Sequence, residues 1–513
     1  MRHDRRKFIK DTICAALGGA GLYSALGNLQ LLQAAVRANY SFSDYKALVC
    51  VFLYGGNDSF NTLAPYSTAA FNGFYGAGGV RPELALTRSQ LNPLNDPTGS
   101  SKDSIQYALH PTMPELAGLF NAGHAAIAAN VGTLVAPVTQ SEYQNGNPAL
   151  PPQLYSHADQ EAYWQSSPPS NSPITGWGGR IADLVAGANP AGLPILTGVN
   201  SQDSFLRGQN VNGYIMNAGS ASTLDVLNGN GAGATCANPG SAYDPNAASA
   251  FCNLQTAGTQ ANALERTYAA TMNHSIATAG IINMALAGAP GFSTQFPNPT
   301  GYDLDSQLQT VAQLIWAANN NVAGFTGLTR QVFFVTTGGY DTHNDELAAH
   351  GTTTAPGILE LLSKSLAGFY NALNSVGLAS KATAFTCSDF GRTMTSNNGG
   401  TDHGWGSHQF VVGGAVQGGK FYGNGCGFTG QAPDYGLVMP SLVNPTQLPG
   451  VYNASPNLND SGDGYGRIIP TTSVDQYAAT LANWFGLSAS DINLIFPNLG
   501  NFSNPSNYLG FMG

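Results

Sequence analysis

The chain has 513 residues, 43% of them hydrophobic and only 9% charged, with 29 Asp/Glu against 19 Lys/Arg and a net charge of −10. The apolar share suffices for a large core, and 63 glycines suit long polar loops between its elements. The acidic balance argues against nucleic acid and anionic lipid as partners, because both demand basic surface to neutralise phosphate.

At the N-terminus, Asp4-Arg5-Arg6-Lys7-Phe8-Ile9-Lys10 sets paired arginines before an apolar pair, and a Gly/Ala-rich stretch runs on to small residues at Val36-Arg37-Ala38. A charged start, a modest apolar middle and a small-residue end predict a twin-arginine signal peptide over 1–38, with the Tat export machinery as partner and a periplasmic or extracellular destination. Gly18, Gly19, Gly21 and Gly27 interrupt the segment, which is no membrane span, and no later stretch reads as one. Cleavage would remove six of the 19 basic and two of the 29 acidic residues, leaving 13 against 27 and a net charge near −14.

From residue 45, apolar runs at 47–54, 125–131, 193–199, 331–336 and 382–387 predict buried parallel strands. Between them, helical spacing predicts helices over 113–121, 157–165, 177–186, 261–286, 304–319, 356–373 and 474–485. The alternation predicts an α/β fold whose largely parallel central sheet is sandwiched between helices. Residues 200–260 shift to Gly, Asn, Ser and Ala with little periodicity and read as a loop-rich insertion in one domain spanning 39–513. Beyond the leader lie Cys50, Cys236, Cys252, Cys387 and Cys426. Cys236 and Cys252 share one loop-rich segment and are the expected disulfide, whereas Cys50 and Cys387 fall in apolar runs as small buried hydrophobes.

In an open parallel sheet the loops after the strand carboxyl ends converge, and functional groups collect there. Run 47–54 leads into Gly55-Gly56-Asn57-Asp58-Ser59, run 331–336 into Gly338-Gly339-Tyr340-Asp341-Thr342-His343, and run 382–387 into Ser388-Asp389-Phe390-Gly391-Arg392-Thr393. A fourth stretch, Gly399-Gly400-Thr401-Asp402-His403-Gly404-Trp405-Gly406-Ser407-His408, precedes a strand at 409–412. Taken singly, each Gly-Gly-x-Asp also reads as a turn with its Asx cap. Together they gather oxygen and nitrogen donors suited to one or two divalent metals, zinc first, with calcium, magnesium or manganese as alternatives. In Leu154-Tyr155-Ser156-His157-Ala158-Asp159-Gln160 a serine precedes an amphipathic helix. It is either a plain N-cap or a hydroxyl at a positive helix terminus beside metals, able to attack phosphorus or sulfur.

This ordered set of motifs resembles domain-of-unknown-function family 1501, over nearly all of the chain beyond the leader. The resemblance implies an alkaline-phosphatase-like, sulfatase-like fold with metals at the carboxyl edge of the sheet. It matches Asp58 to the first-strand metal aspartate, Asp341 and His343 to the Asp/His pair of one metal site, Asp389 to the later aspartate, His403 to the last histidine and Ser156 to the helix-capping nucleophile. Two departures stand out. Asp389 is followed by Phe390, so one imidazole is missing unless His157, His403 or His408 supplies it, and Asp341 lies closer to His343 than in the phosphatase pattern. No cysteine lies in the Cys-x-Pro-x-Arg context that becomes a sulfatase nucleophile, which leaves serine-type enzymes.

These residues predict an exported metal-dependent hydrolase of phosphate or sulfate esters, acting on a small anionic ester, with Ser156 attacking and Arg392 steadying the anion. The rival readings are a non-catalytic binding or scaffold protein on the same fold, and a matrix protein whose loop tyrosines 422, 435, 452 and 465 hold polysaccharide.

Overall fold

The computed structural model describes residues 40–98, 100, 105–146, 150–167, 174–221, 236, 245–256, 262–297, 299, 303–322, 324–423, 465–502 and 508–513. The expected leader at 1–38, Cys426, Tyr435, Tyr452 and much of 222–261 lie outside the described residues.

Among the described residues, nine strands form the main sheet: β1 (Lys46–Leu53), β2 (Ala125–Gly132), β3 (Leu196–Val199), β4 (Tyr214–Met216), β5 (Arg330–Thr337), β6 (Ala382–Ser388), β7 (Ser407–Gly413), β8 (Phe421–Tyr422) and β9 (Thr472–Ser473). Their order is β8-β2-β7-β6-β1-β5-β3-β4, with β9 beside β2. Every pairing is parallel except those of β7, which runs antiparallel to both β2 and β6. The sheet is therefore mixed and largely parallel.

The five apolar runs become strands because both faces of the sheet are covered. Along β1, Ala47, Val49, Val51 and Leu53 join a core with Leu116, Leu308, Leu362 and Phe369. Leu48, Cys50 and Phe52 point the other way, into a core with Ile181, Leu184, Tyr477 and Leu481. Successive side chains on opposite faces with a core on each side leave no room for polar residues, hence the unbroken apolar run. The first layer is built by α1 (Pro114–Asn121), α4 (Ala263–Gly288), α5 (Leu304–Asn319) and α6 (Ile358–Ser375), and the second by α2 (His157–Ser166), α3 (Trp177–Val185) and α7 (Val474–Phe485).

Caps set the bounds of the helices whose ends match expectation. Asp303 accepts from the Ser306 amide ahead of α5, and Ser473 with Gln476 forms a capping box before α7, which ends at Gly486 with φ of 106°. The run at 193–199 starts pairing only at Leu196, since Pro194 has no N–H for a ladder. A small three-stranded sheet of Leu63–Pro65, Tyr107–Leu109 and Asn92–Pro93 was not expected, its strands being too short to show a period. In the segment read as an insertion, β4 extends the sheet, Pro245–Leu254 is helical, and Cys236 is bonded to Cys252. Cys50 and Cys387 are buried free thiols. Among the described residues no helix is long and apolar enough to cross a membrane.

Candidate metal centre

Strands β1, β5 and β6 are parallel neighbours, so the loops that leave them meet at one edge. The loop at 399–406 precedes its strand, yet reaches the same edge because β7 runs the opposite way. Two glycines let these loops close on one another. A Cβ on Gly55, whose φ is +116°, would fall 2.3 Å from the Asp341 amide nitrogen, and one on Gly400 would fall 2.1 Å from the Thr342 carbonyl oxygen.

Asp341, His343 and His403 come together in that crevice. The Asp341 carboxylate lies 3.1 Å from His343 Nε2 and 3.6 Å from His403 Nε2, and the two Nε2 atoms are 2.9 Å apart. His157, the first residue of α2, brings its own Nε2 to 3.6 Å from Asp341 Oδ2. Tetrahedral donors at zinc–ligand lengths of about 2.0–2.1 Å stand roughly 3.3 Å from one another, and His157, Asp341 and His403 form a group whose donor atoms could hold a metal ion, with His343 beside Asp341 and His403.

The hydrogen bonds on the far side of each ring decide which nitrogen carries the proton. Nδ1 of His157 meets Asp389 Oδ2 at 2.6 Å, Nδ1 of His343 meets Asp402 Oδ1 at 3.1 Å, and Nδ1 of His403 meets the Tyr155 carbonyl at 2.8 Å. Carboxylates and carbonyls only accept, so each Nδ1 donates, and each ring, when neutral, presents an Nε2 lone pair toward Asp341. That is the outer-shell pattern that orients histidine ligands of metals. Nε2 of His157 is buried and has no hydrogen-bond partner, and two lone pairs cannot face each other at 2.9 Å without a proton or a cation between them. The donor set fits a divalent cation. Side-chain exposures of 50% for Asp341, 37% for His343, 30% for His157 and 24% for His403 leave the centre open to solvent.

The other expected residues fall around this centre. Asp389 is fully buried, takes the Gly55 amide on both oxygens, and holds His157. With His157 and Glu161 it also forms a second group of metal-competent spacing. Asp58 faces away, contrary to its expected place as a ligand: one oxygen caps Phe60 N and the other pairs with Arg81, both residues being wholly buried. Arg392, expected to steady an anion, is instead buried and donates to the carbonyls of Gly55, Gly56, Tyr340 and Thr401 and to Asp341, so it staples the loops together. Ser156 is the N-cap residue of α2, but its hydroxyl makes no cap hydrogen bond. Phe390 packs its ring 4.7 Å from that of His157 and 4.6 Å from that of His403, an apolar floor where an imidazole was expected, and His157 fills that side. His408 lies elsewhere in the core, its Nδ1 accepting from the Asn130 amide.

Electrostatics follow from these contacts. The hydrogen bond to Asp389 pushes His157 above the usual imidazole range, while burial pushes His403 below it. Burial would raise Asp341, but the Arg392 hydrogen bond and charge outweigh it and hold the carboxyl below its usual range. Burial and the adjacent Asp389 charge push Glu161 up to about 7. Sequence reasoning missed Glu161, Asp402 and Glu346. Glu161 had a signal in its place one helical turn after His157; Asp402 sat unremarked beside His403; Glu346 lies in no strand-end motif.

The family described as "Protein of unknown function (DUF1501)" matches residues 45–444. No curated protein matches the chain. Among solved structures, the crystal structure of the lipoteichoic acid synthase LtaP from Listeria monocytogenes is 8% identical, with 86% of this chain and 82% of that chain covered. Its TM-score of 0.27 is too low for any feature of that protein to be carried over.

Proposed function

The chain belongs to the DUF1501 family, and on that footing we propose that it is an exported, metal-dependent hydrolase of phosphate or sulfate esters on an alkaline-phosphatase-like fold. One observation carries the reading: three imidazoles, each with its Nδ1 proton given to an acceptor behind it, aim Nε2 at the Asp341 carboxylate. His157, His343, His403 and Asp341 would hold the cation, with Asp389 fixing His157 from behind. A bound divalent ion, zinc by the nature of these donors, would polarise the ester and stabilise charge on the transferred group.

Ser156 supplies the nucleophile in this reading. Its hydroxyl is not spent on capping, it adjoins His157 in the chain, and it stands at the N-terminus of a 10-residue helix whose dipole favours developing negative charge. Phe390 keeps one side of the two imidazoles dry, and Arg392 holds Asp341 ionised and the loops in register. Export rests on the expected leader at 1–38, which would deliver the folded chain through the Tat machinery to the periplasm or beyond.

The test is to express the full chain, leader included, in a Tat-competent host and measure bound metal and turnover of aryl phosphate and aryl sulfate esters. Wild type should carry metal and turn over one ester class, Asp341→Ala/His343→Ala should lose both, and Ser156→Ala should keep metal and lose turnover. Stoichiometric metal without turnover would replace the hydrolase with a binding or scaffold protein, and absence of metal would sink the centre itself.

A further inference from the structure

We propose that His157, Glu161 and Asp389 form a second seat for a divalent cation, filled only when the seat at Asp341 is empty, because both seats use the one imidazole of His157. The inference rests on the metal-dependent reading above. Among the described residues, two groups bring three metal-ligating side chains together: His157 with Asp341 and His403, and His157 with Glu161 and Asp389. In each group the donor atoms lie within 4.8 Å of one another. Glu161 follows His157 by one turn of α2, which places both side chains on one helix face. Asp389 comes to them from the loop after β6, with its Oδ2 2.6 Å from Nδ1 of His157. Asp389 is wholly buried and Glu161 half-buried, so their like charges repel in a poorly solvated place, and a cation between them would relieve that repulsion.

The ring itself makes the seats exclusive. A neutral imidazole keeps one N–H and offers one lone pair. With the proton on Nδ1, Asp389 accepts it, and Nε2 stays buried without a partner 3.6 Å from Asp341 Oδ2, so the ring serves the first seat. With the proton on Nε2, toward Asp341, the lone pair of Nδ1 faces Asp389 and the ring serves the second. Asp58, the other carboxylate expected at a metal, is taken by Arg81 in the core and completes neither. The seats also differ in kind. Three imidazoles and one carboxylate suit zinc, whereas two carboxylates and one imidazole favour the harder manganese ion.

The experiment titrates the full chain, stripped of metal by chelation, with manganese and then with zinc. Free manganese is read by electron paramagnetic resonance and total metal by elemental analysis. Wild type should bind one manganese per chain and release it as zinc is added, ending at one zinc per chain. Glu161→Gln should weaken manganese binding at least about tenfold, since a direct donor counts for no less than an outer-shell partner, and leave zinc binding unchanged; His343→Ala should do the reverse. Wild type that holds both ions together, takes up zinc but no manganese, or keeps its manganese affinity in Glu161→Gln overturns the exclusive second seat and leaves the hydrolase reading standing. A wild-type chain that binds neither ion overturns the second seat and the metal centre with it.

Discussion

Asp58 and Glu346 form a buried carboxyl pair behind the centre, with Arg81 on one side and the hydroxyls of Thr342 and Thr401 on the other. Thr342 and Thr401 belong to the loops that carry His343 and His403, so the pair supports the site without facing it. Replacing Asp58 by alanine strands the Arg81 charge in the core, and a loss of about 3–5 kcal/mol in unfolding free energy is expected. Metal per folded protein should be unchanged; metal lost at full stability would restore Asp58 as a ligand. Burial and the Asp58 charge push Glu346 from an ordinary 4.5 up to about 9. Between those values the folded chain holds a proton that the unfolded chain has released. This group's contribution is therefore full below 4.5 and is lost as pH rises toward 9, with a limiting slope of about 1.4 kcal/mol per pH unit. Urea midpoints at pH 6 and pH 8 should show a smaller fall for Glu346→Gln than for wild type, and equal falls would count against a proton held on Glu346 in the folded chain.

Loops and helices set the next scale. His157 and Glu161 are a turn apart on α2, and Asp389, just past the end of β6, anchors the helix's first residue in the crevice. Asp389→Asn should lower metal affinity about 10–100-fold, as loss of an outer-shell carboxylate does, with little change in far-UV circular dichroism. Gly400 permits the contact between the loops after β5 and before β7. In Gly400→Ala the new Cβ would lie 2.1 Å from the Thr342 carbonyl oxygen, so the loops must part and the His343–His403 pair with them. Titration with zinc should show weakened binding, whereas Gly118→Ala, where a Cβ meets nothing within 4 Å, should bind as wild type does.

Over the whole molecule, the main sheet is a frame that brings distant stretches of chain to one edge. If the twin arginines are the export signal, Arg5→Lys/Arg6→Lys should retain the protein in the cytoplasm on cell fractionation, while the wild type is recovered outside it. The long strands of the main sheet, the longer helices and the placement of Asp341 and His343 at its carboxyl edge are legible in the chain alone, whereas His403 reaches that edge because β7 runs antiparallel. Buried parallel strands read as apolar runs, caps mark helix ends, and polar groups after a strand can only lie at its carboxyl edge. The disulfide between Cys236 and Cys252 is legible too, from two cysteines in one loop-rich segment. Side-chain direction is not. Asp58 and Asp341 follow similar Gly-Gly motifs, yet one turns into the core because Arg81 waits there and the other turns out toward three imidazoles. His157 meets Asp389 across 232 residues, and Arg392 is drawn inward by four carbonyls supplied by three separate loops. Such partnerships follow from packing at long sequence separation, where no local spacing or propensity carries a signal, and so they could be decided only once the sheet had brought the loops together.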